Sequence, residues 1–208
     1  MKYDQNIEDA RGIMTDVVDE YQSFFNKLLP TRTSNTPRAI GFTERNLTFY
    51  FCHRYMDYFC DTSGEIFTWQ EMPFNEANRQ HIDSILFHFG KDVGKGERRN
   101  VLYYIEAKRL YDDKHVEMLT KDDYKRIKNN FKNIPGFDDL ENTDCYAVLL
   151  AGLELHTTKK GDDVSNAEQE RLFKLYNENH FSIQEIAIDN SDLHLSSYYI
   201  LYRIEKLQ

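Results

Sequence analysis

The stretch Val101-Leu102-Tyr103-Tyr104-Ile105-Glu106-Ala107-Lys108-Arg109-Leu110 decides how the chain is read. Its first five residues are apolar or aromatic, and its end is charged. Side chains alternate between the two faces of a strand, so Glu106 and Lys108 point one way and Ile105 and Ala107 the other. An acid and a lysine at the end of an apolar strand are costly to bury unless paired or engaged with an ion.

The preceding strand-like run, His81-Ile-Asp-Ser-Ile-Leu-Phe-His-Phe89, carries Asp83 near its start. Only a glycine-rich connection, Gly90 to Gly96, separates it from a strand over about 100–110. A third run, Glu65 to Phe74, precedes both. Short connections favour an antiparallel meander, which brings Asp83 to the sheet edge that holds Glu106 and Lys108. Two carboxylates and an ammonium converging there suit a hard cation such as Mg²⁺. Acid-x-Lys also occurs at Asp112–Lys114 and Asp123–Lys125, but outside strands. The alternative for Asp83, Glu106 and Lys108 is a structural ion pair at a strand end.

Further out, apolar residues at helical spacing predict a helix over about 13–29 and another from the N-cap Thr43 to about Phe59. A helix over about 121–132 follows the third strand. Cys145 to Leu155 reads as a strand buried on both faces. Ser165 and Glu168 form a capping box for a helix to about Asn179. Strands are expected at about 183–188 and 195–204. The order suits an α/β fold with a mixed sheet flanked by helices. The 208 residues suit a single domain with a sizeable, aromatic-rich core, since Tyr and Phe number 14 each.

These residues resemble the PD-(D/E)XK, restriction-endonuclease-like superfamily. Its signature is an acid on one strand, then (D/E)-x-K on the next, here Ile82-Asp83 and Glu106-Ala107-Lys108. Ile82 stands where the signature has Pro. The resemblance spans about 43–155 and implies an αβββαβ core, with an N-terminal helical and a C-terminal α/β extension. It implies a Mg²⁺-dependent nuclease, with Mn²⁺ able to substitute, hydrolysing phosphodiester bonds in DNA; RNA stays open. Asp83, Glu106, the Ala107 carbonyl and Glu44 would hold the metal, and Lys108 would assist water attack. The rival is a family member that no longer cuts and serves as a binding or accessory subunit in a defence or repair complex.

Glu44 reads equally well as a first-turn acid favoured by the helix dipole. Glu71 is a further candidate ligand, although a solvated strand residue is the plainer reading. His81 should share a face with Asp83. Trp69 is expected in the core. Lys121, Lys125, Lys128 and Lys132 recur at helical spacing, either as a solvated face or as a phosphate track. Lys91, Lys95, Arg98 and Arg99 make the hairpin tip basic.

The net charge of −9 counts against tight, indiscriminate nucleic-acid binding and favours a protein partner supplying specificity. Monomer and homodimer are both compatible. Cys52, Cys60 and Cys145 are odd in number, without a C-x-x-C, and read as free thiols. With no signal-peptide pattern and no membrane span, the expected location is cytoplasmic.

Overall fold

The computed structural model describes residues 4–28, 44–62, 64–75, 80–92, 96–110, 113–133, 141–156, 170, 173–187 and 196–208. The predicted connector after Pro30, the Thr43 cap, Lys95 and the Ser165–Glu168 capping box lie outside these residues. Two helices, α1 (Gln5–Leu28) and α2 (Glu44–Tyr58), precede the strands β1 (Glu65–Asn75), β2 (Gln80–Asp92) and β3 (Arg98–Leu110). A helical segment follows in three parts: α3 (Asp113–Glu117), a π-helical turn (Met118–Asp123) and α4 (Tyr124–Asn130). Then come β4 (Thr143–His156), a helical stretch over 173–178, β5 (Ser182–Ile186) and β6 (Ser196–Lys206).

The strands form one mixed sheet in the order β1-β2-β3-β4-β6-β5. The pairs β1/β2 and β2/β3 are antiparallel, as their short connections require. β4 lies parallel to β3, because the intervening helical segment carries the chain back to the starting edge. The fold is thus α/β with a six-stranded mixed sheet and helices on both faces.

Central strands bury both faces. Tyr103, Ile105, Tyr146, Val148 and Leu150 pack under α1 and α2. Leu102, Tyr104, Ala147, Leu149 and Leu153 pack on the other side with Val116, Leu119, Ile127 and Tyr176. This explains the near-continuous apolar run in β4.

Three local expectations need correction. α1 begins at Gln5, not near Ile13, because Asp4 Oδ1 accepts the backbone N–H groups of Asn6 (3.1 Å) and Ile7 (3.4 Å), an N-cap. The polar opening turns hide their purpose from an apolar-period reading. Asp9 and Asn6 are buried and receive Lys91 Nζ at 2.7 and 2.8 Å. Lys91 is therefore no part of a basic hairpin tip: it lies beneath α1, 4.4 Å from the Phe59 ring centroid. Trp69 is 54% exposed rather than in the core, since β1 is an edge strand and its outward face is uncovered. Cys52, Cys60 and Cys145 are free. No described helix is long and apolar enough to cross a membrane.

Candidate active site

The β2/β3 ladder stops one residue short of Asp83. Ser84 pairs with Ile105, and beyond that rung the strands separate. A side chain bridges the gap: the Ala107 backbone N–H donates to Asp83 Oδ2 at 2.9 Å. A strand residue points its N–H and C=O to the same side of the ladder. The Ala107 carbonyl therefore faces the same opening.

On the face away from α2, Glu106 is fully buried. The Arg126 guanidinium donates to its Oε1, while Oε2 is buried without a hydrogen bond. Burial, reinforced by the neighbouring Asp83 charge and opposed by Arg126, pushes the Glu106 carboxyl up to about 8. Arg126 also lies 3.1 Å from Asp123 Oδ1. The second Asp123 oxygen, Oδ2, is 3.5 Å from Lys108 Nζ and makes no hydrogen bond. Burial raises the Asp123 carboxyl against the pull of Lys108 and Arg126. For Lys108, burial acts to lower the ammonium, but Asp123, Glu44, Asp83 and Glu106 together hold it above its ordinary value. Glu44, the first residue of α2, closes the set with Oε1 3.8 Å from Lys108 Nζ.

The structure thus gathers Asp83, Glu106, Lys108 and Glu44 from three elements into one cluster. Sequence reading missed two members, Asp123 and Arg126. Asp123 was visible only as the acid of a second acid-x-Lys in a helix. The signal that would single it out is the π-turn, whose extra residue per turn re-aims side chains, and no periodicity in the sequence announces it.

The lysine row is not one stripe. Lys121 belongs to the π-turn and pairs with Glu117 at 2.9 Å. Lys125 and Lys128 are exposed on α4, while Lys132 lies beyond its end, over the Phe131 ring. Glu71 sits outside the cluster: it has a positive φ of 52°, between the Gln70–Ser84 and Met72–Ile82 rungs and two residues before the register shift at Pro73–Asn75, and it pairs with Arg45 at 2.5 Å. His81 Nδ1 lies 3.1 Å from the Glu71 carbonyl and does not reach the carboxylates.

An open cleft of about 700 Å³ adjoins the cluster, with Glu44, Arg45, Phe49, Gln70, Glu71 and Asp83 in its walls. Among the described residues no group of three or more His, Cys, Asp or Glu side chains is placed to hold a metal ion. The donor chemistry still fits Mg²⁺, which retains several waters and often takes only one or two protein carboxylates. Asp83, bonded to the Ala107 backbone N–H, and the orphaned Glu106 Oε2 are such a pair. Four carboxylates (Glu44, Asp83, Glu106, Asp123) face two cations (Lys108, Arg126), leaving an excess of two negative charges once Glu106 is ionised and of one while it keeps its proton. Comparison of the chain with family models, curated proteins and solved structures found no match.

Proposed function

We propose that the chain is a metal-dependent nuclease of the PD-(D/E)XK type, hydrolysing phosphodiester bonds in DNA at the Asp83–Glu106–Lys108 cluster. The observation that carries this reading is the splayed end of β2 and β3. There the backbone of the Glu106-Ala107-Lys108 motif bonds to the Asp83 carboxylate, and Glu106 keeps one buried oxygen unpartnered. A purely structural cluster would be expected to satisfy that oxygen. The sequence of elements α2, β1, β2, β3, helical crossover and β4, with β4 parallel to β3, supports the αβββαβ core that the family implies.

Asp83, Glu106 and the Ala107 carbonyl would hold Mg²⁺ or Mn²⁺, with Glu44 at the rim. The ion supplies an activated water and offsets charge on the phosphate. Lys108, surrounded by acids that keep it protonated, acts as a donor. It orients the attacking water and stabilises negative charge developing on the phosphate. Arg126 and Asp123 do not touch the phosphate in this scheme; they fix Glu106 and Lys108 in place.

One observation favours a second reading, a nuclease-fold subunit that no longer cuts. Arg126 and Lys108 already neutralise much of the acid cluster, so the site can stand without a metal. Heat unfolding with increasing Mg²⁺ or Mn²⁺ separates the two. A working site binds the ion and raises Tm in the wild type, and Asp83→Asn abolishes the rise. An unshifted wild-type Tm favours the silent subunit.

A further inference from the structure

We propose that the cleft beside Asp83 receives one unpaired nucleobase, stacked on Phe49 and adjoining the phosphate to be cut. The inference rests on the nuclease reading and names its substrate: a strand with unpaired nucleotides rather than a continuous duplex.

The cleft's volume of about 700 Å³ accommodates a nucleotide-sized ligand. Its apolar wall is Phe49, 55% exposed yet fixed in orientation. The ring stacks on His53 with centroids 5.7 Å apart and planes at 21°, and meets the Tyr50 edge at 5.7 Å. A base could cover its outward side.

The polar wall is equally constrained. Gln70 Nε2 donates to the buried Ser84 Oγ at 2.9 Å, and Gln70 Oε1 lies 3.4 Å from Thr48 Oγ1, whose one proton is shared with the nearer Arg45 carbonyl at 3.0 Å. Glu71 is turned by its positive φ and bonded to Arg45.

Charge decides which part of a nucleotide enters. Three carboxylates, Glu44, Glu71 and Asp83, line the cleft against one guanidinium, and Glu71 already holds that guanidinium. A phosphate is repelled there. A neutral base that presents N–H donors is not. Adenine, cytosine and guanine carry exocyclic amino groups, whereas the thymine edge offers mainly acceptors. A base paired inside a duplex has both its edge and its faces occupied, and would have to be extruded first.

The test uses short oligonucleotides carrying a fluorescent adenine analogue, single-stranded or annealed, with Ca²⁺ present to hold binding apart from cleavage. Fluorescence quenching and anisotropy are followed for wild type, Phe49→Ala and Phe49→Trp. Cleavage of the same strands is measured in Mg²⁺ and Mn²⁺. The wild type should quench the single strand and bind it at least about tenfold more tightly than the duplex. Phe49→Ala should lose about tenfold in affinity and most quenching, and Phe49→Trp should retain both. Adenine, cytosine or guanine should outrank thymine at the analogue position. Equal binding of single strand and duplex, unchanged by Phe49→Ala, overturns the proposal even if DNA is cut. No binding of single strands overturns it too. Binding that depends on Phe49 without any cleavage keeps the proposal and overturns the nuclease reading.

Discussion

Glu106 carries the largest electrostatic tension in the site. Its carboxyl is raised from 4.5 to about 8 by burial and by Asp83. A raised acid stays protonated in the folded chain while the unfolded chain ionises, so the native state binds more protons between those two values. Its contribution to stability is full below about 4.5 and is lost as pH rises through about 8. Glu106→Gln removes that dependence. In EDTA, the stability of wild type relative to Glu106→Gln should fall by roughly 3 kcal/mol from pH 5 to pH 8 and then level off. Urea unfolding across pH measures it; a difference that stays flat would mean that Glu106 is ionised throughout. Lys108→Ala tests the other half of the motif. Removing a cation beside the carboxylates should leave divalent binding intact or tighter by calorimetry. DNA cleavage should fall by about 10²–10³-fold. Loss of metal binding in this variant would contradict a donor role for Lys108.

Whole elements, more than single residues, fix the site. The Lys91–Asp9 pair holds α1 against the β2/β3 hairpin in a buried setting. Lys91→Met leaves the buried Asp9 without its counter-charge, with the Gln5 amide as its remaining donor, and should cost about 3–5 kcal/mol in urea unfolding. Lys91→Met combined with Asp9→Leu should recover much of that loss, because the uncompensated charge is gone. A single variant as stable as wild type would show that the pair adds nothing. On α4, replacing Lys125 and Lys128 with Gln tests the phosphate track: the slope of log K against log salt should flatten by about one unit per lost contact. An unchanged slope returns them to a solvated face. The meander and the double-faced burial of β4 were legible in the sequence because period-2 alternation and apolar runs report burial directly. Asp83, Glu106 and Lys108 were legible as neighbours because short connections leave one pairing. The start of α1 was not, since Asn6 and Asp9 are polar residues buried by long-range bonding to Lys91 and Tyr146. Nor were Asp123 and Arg126, which reach the site only through the π-turn and a parallel crossover. The lysine row misled for the same reason: spacing assumed one uninterrupted α-helix.

For the molecule as a whole, the net charge of −9 and the acid-lined cleft set the terms on which a polyanion can approach. Non-specific grip through many phosphates is disfavoured. Recognition of a single unpaired base beside a metal-assisted phosphate contact needs few cationic contacts and tolerates that charge. In the proposed function, one acid cluster, gathered where the β2/β3 ladder ends, cuts phosphodiester bonds with a divalent ion. Its most direct test is cleavage of a panel of linear, nicked, single-stranded and modified DNA in Mg²⁺ and in Mn²⁺, by wild type and Asp83→Asn side by side. Wild type should cut at least one substrate only when the ion is present, and Asp83→Asn should cut none. Cleavage by Asp83→Asn at the wild-type rate, or no cleavage by wild type anywhere in the panel, would contradict it.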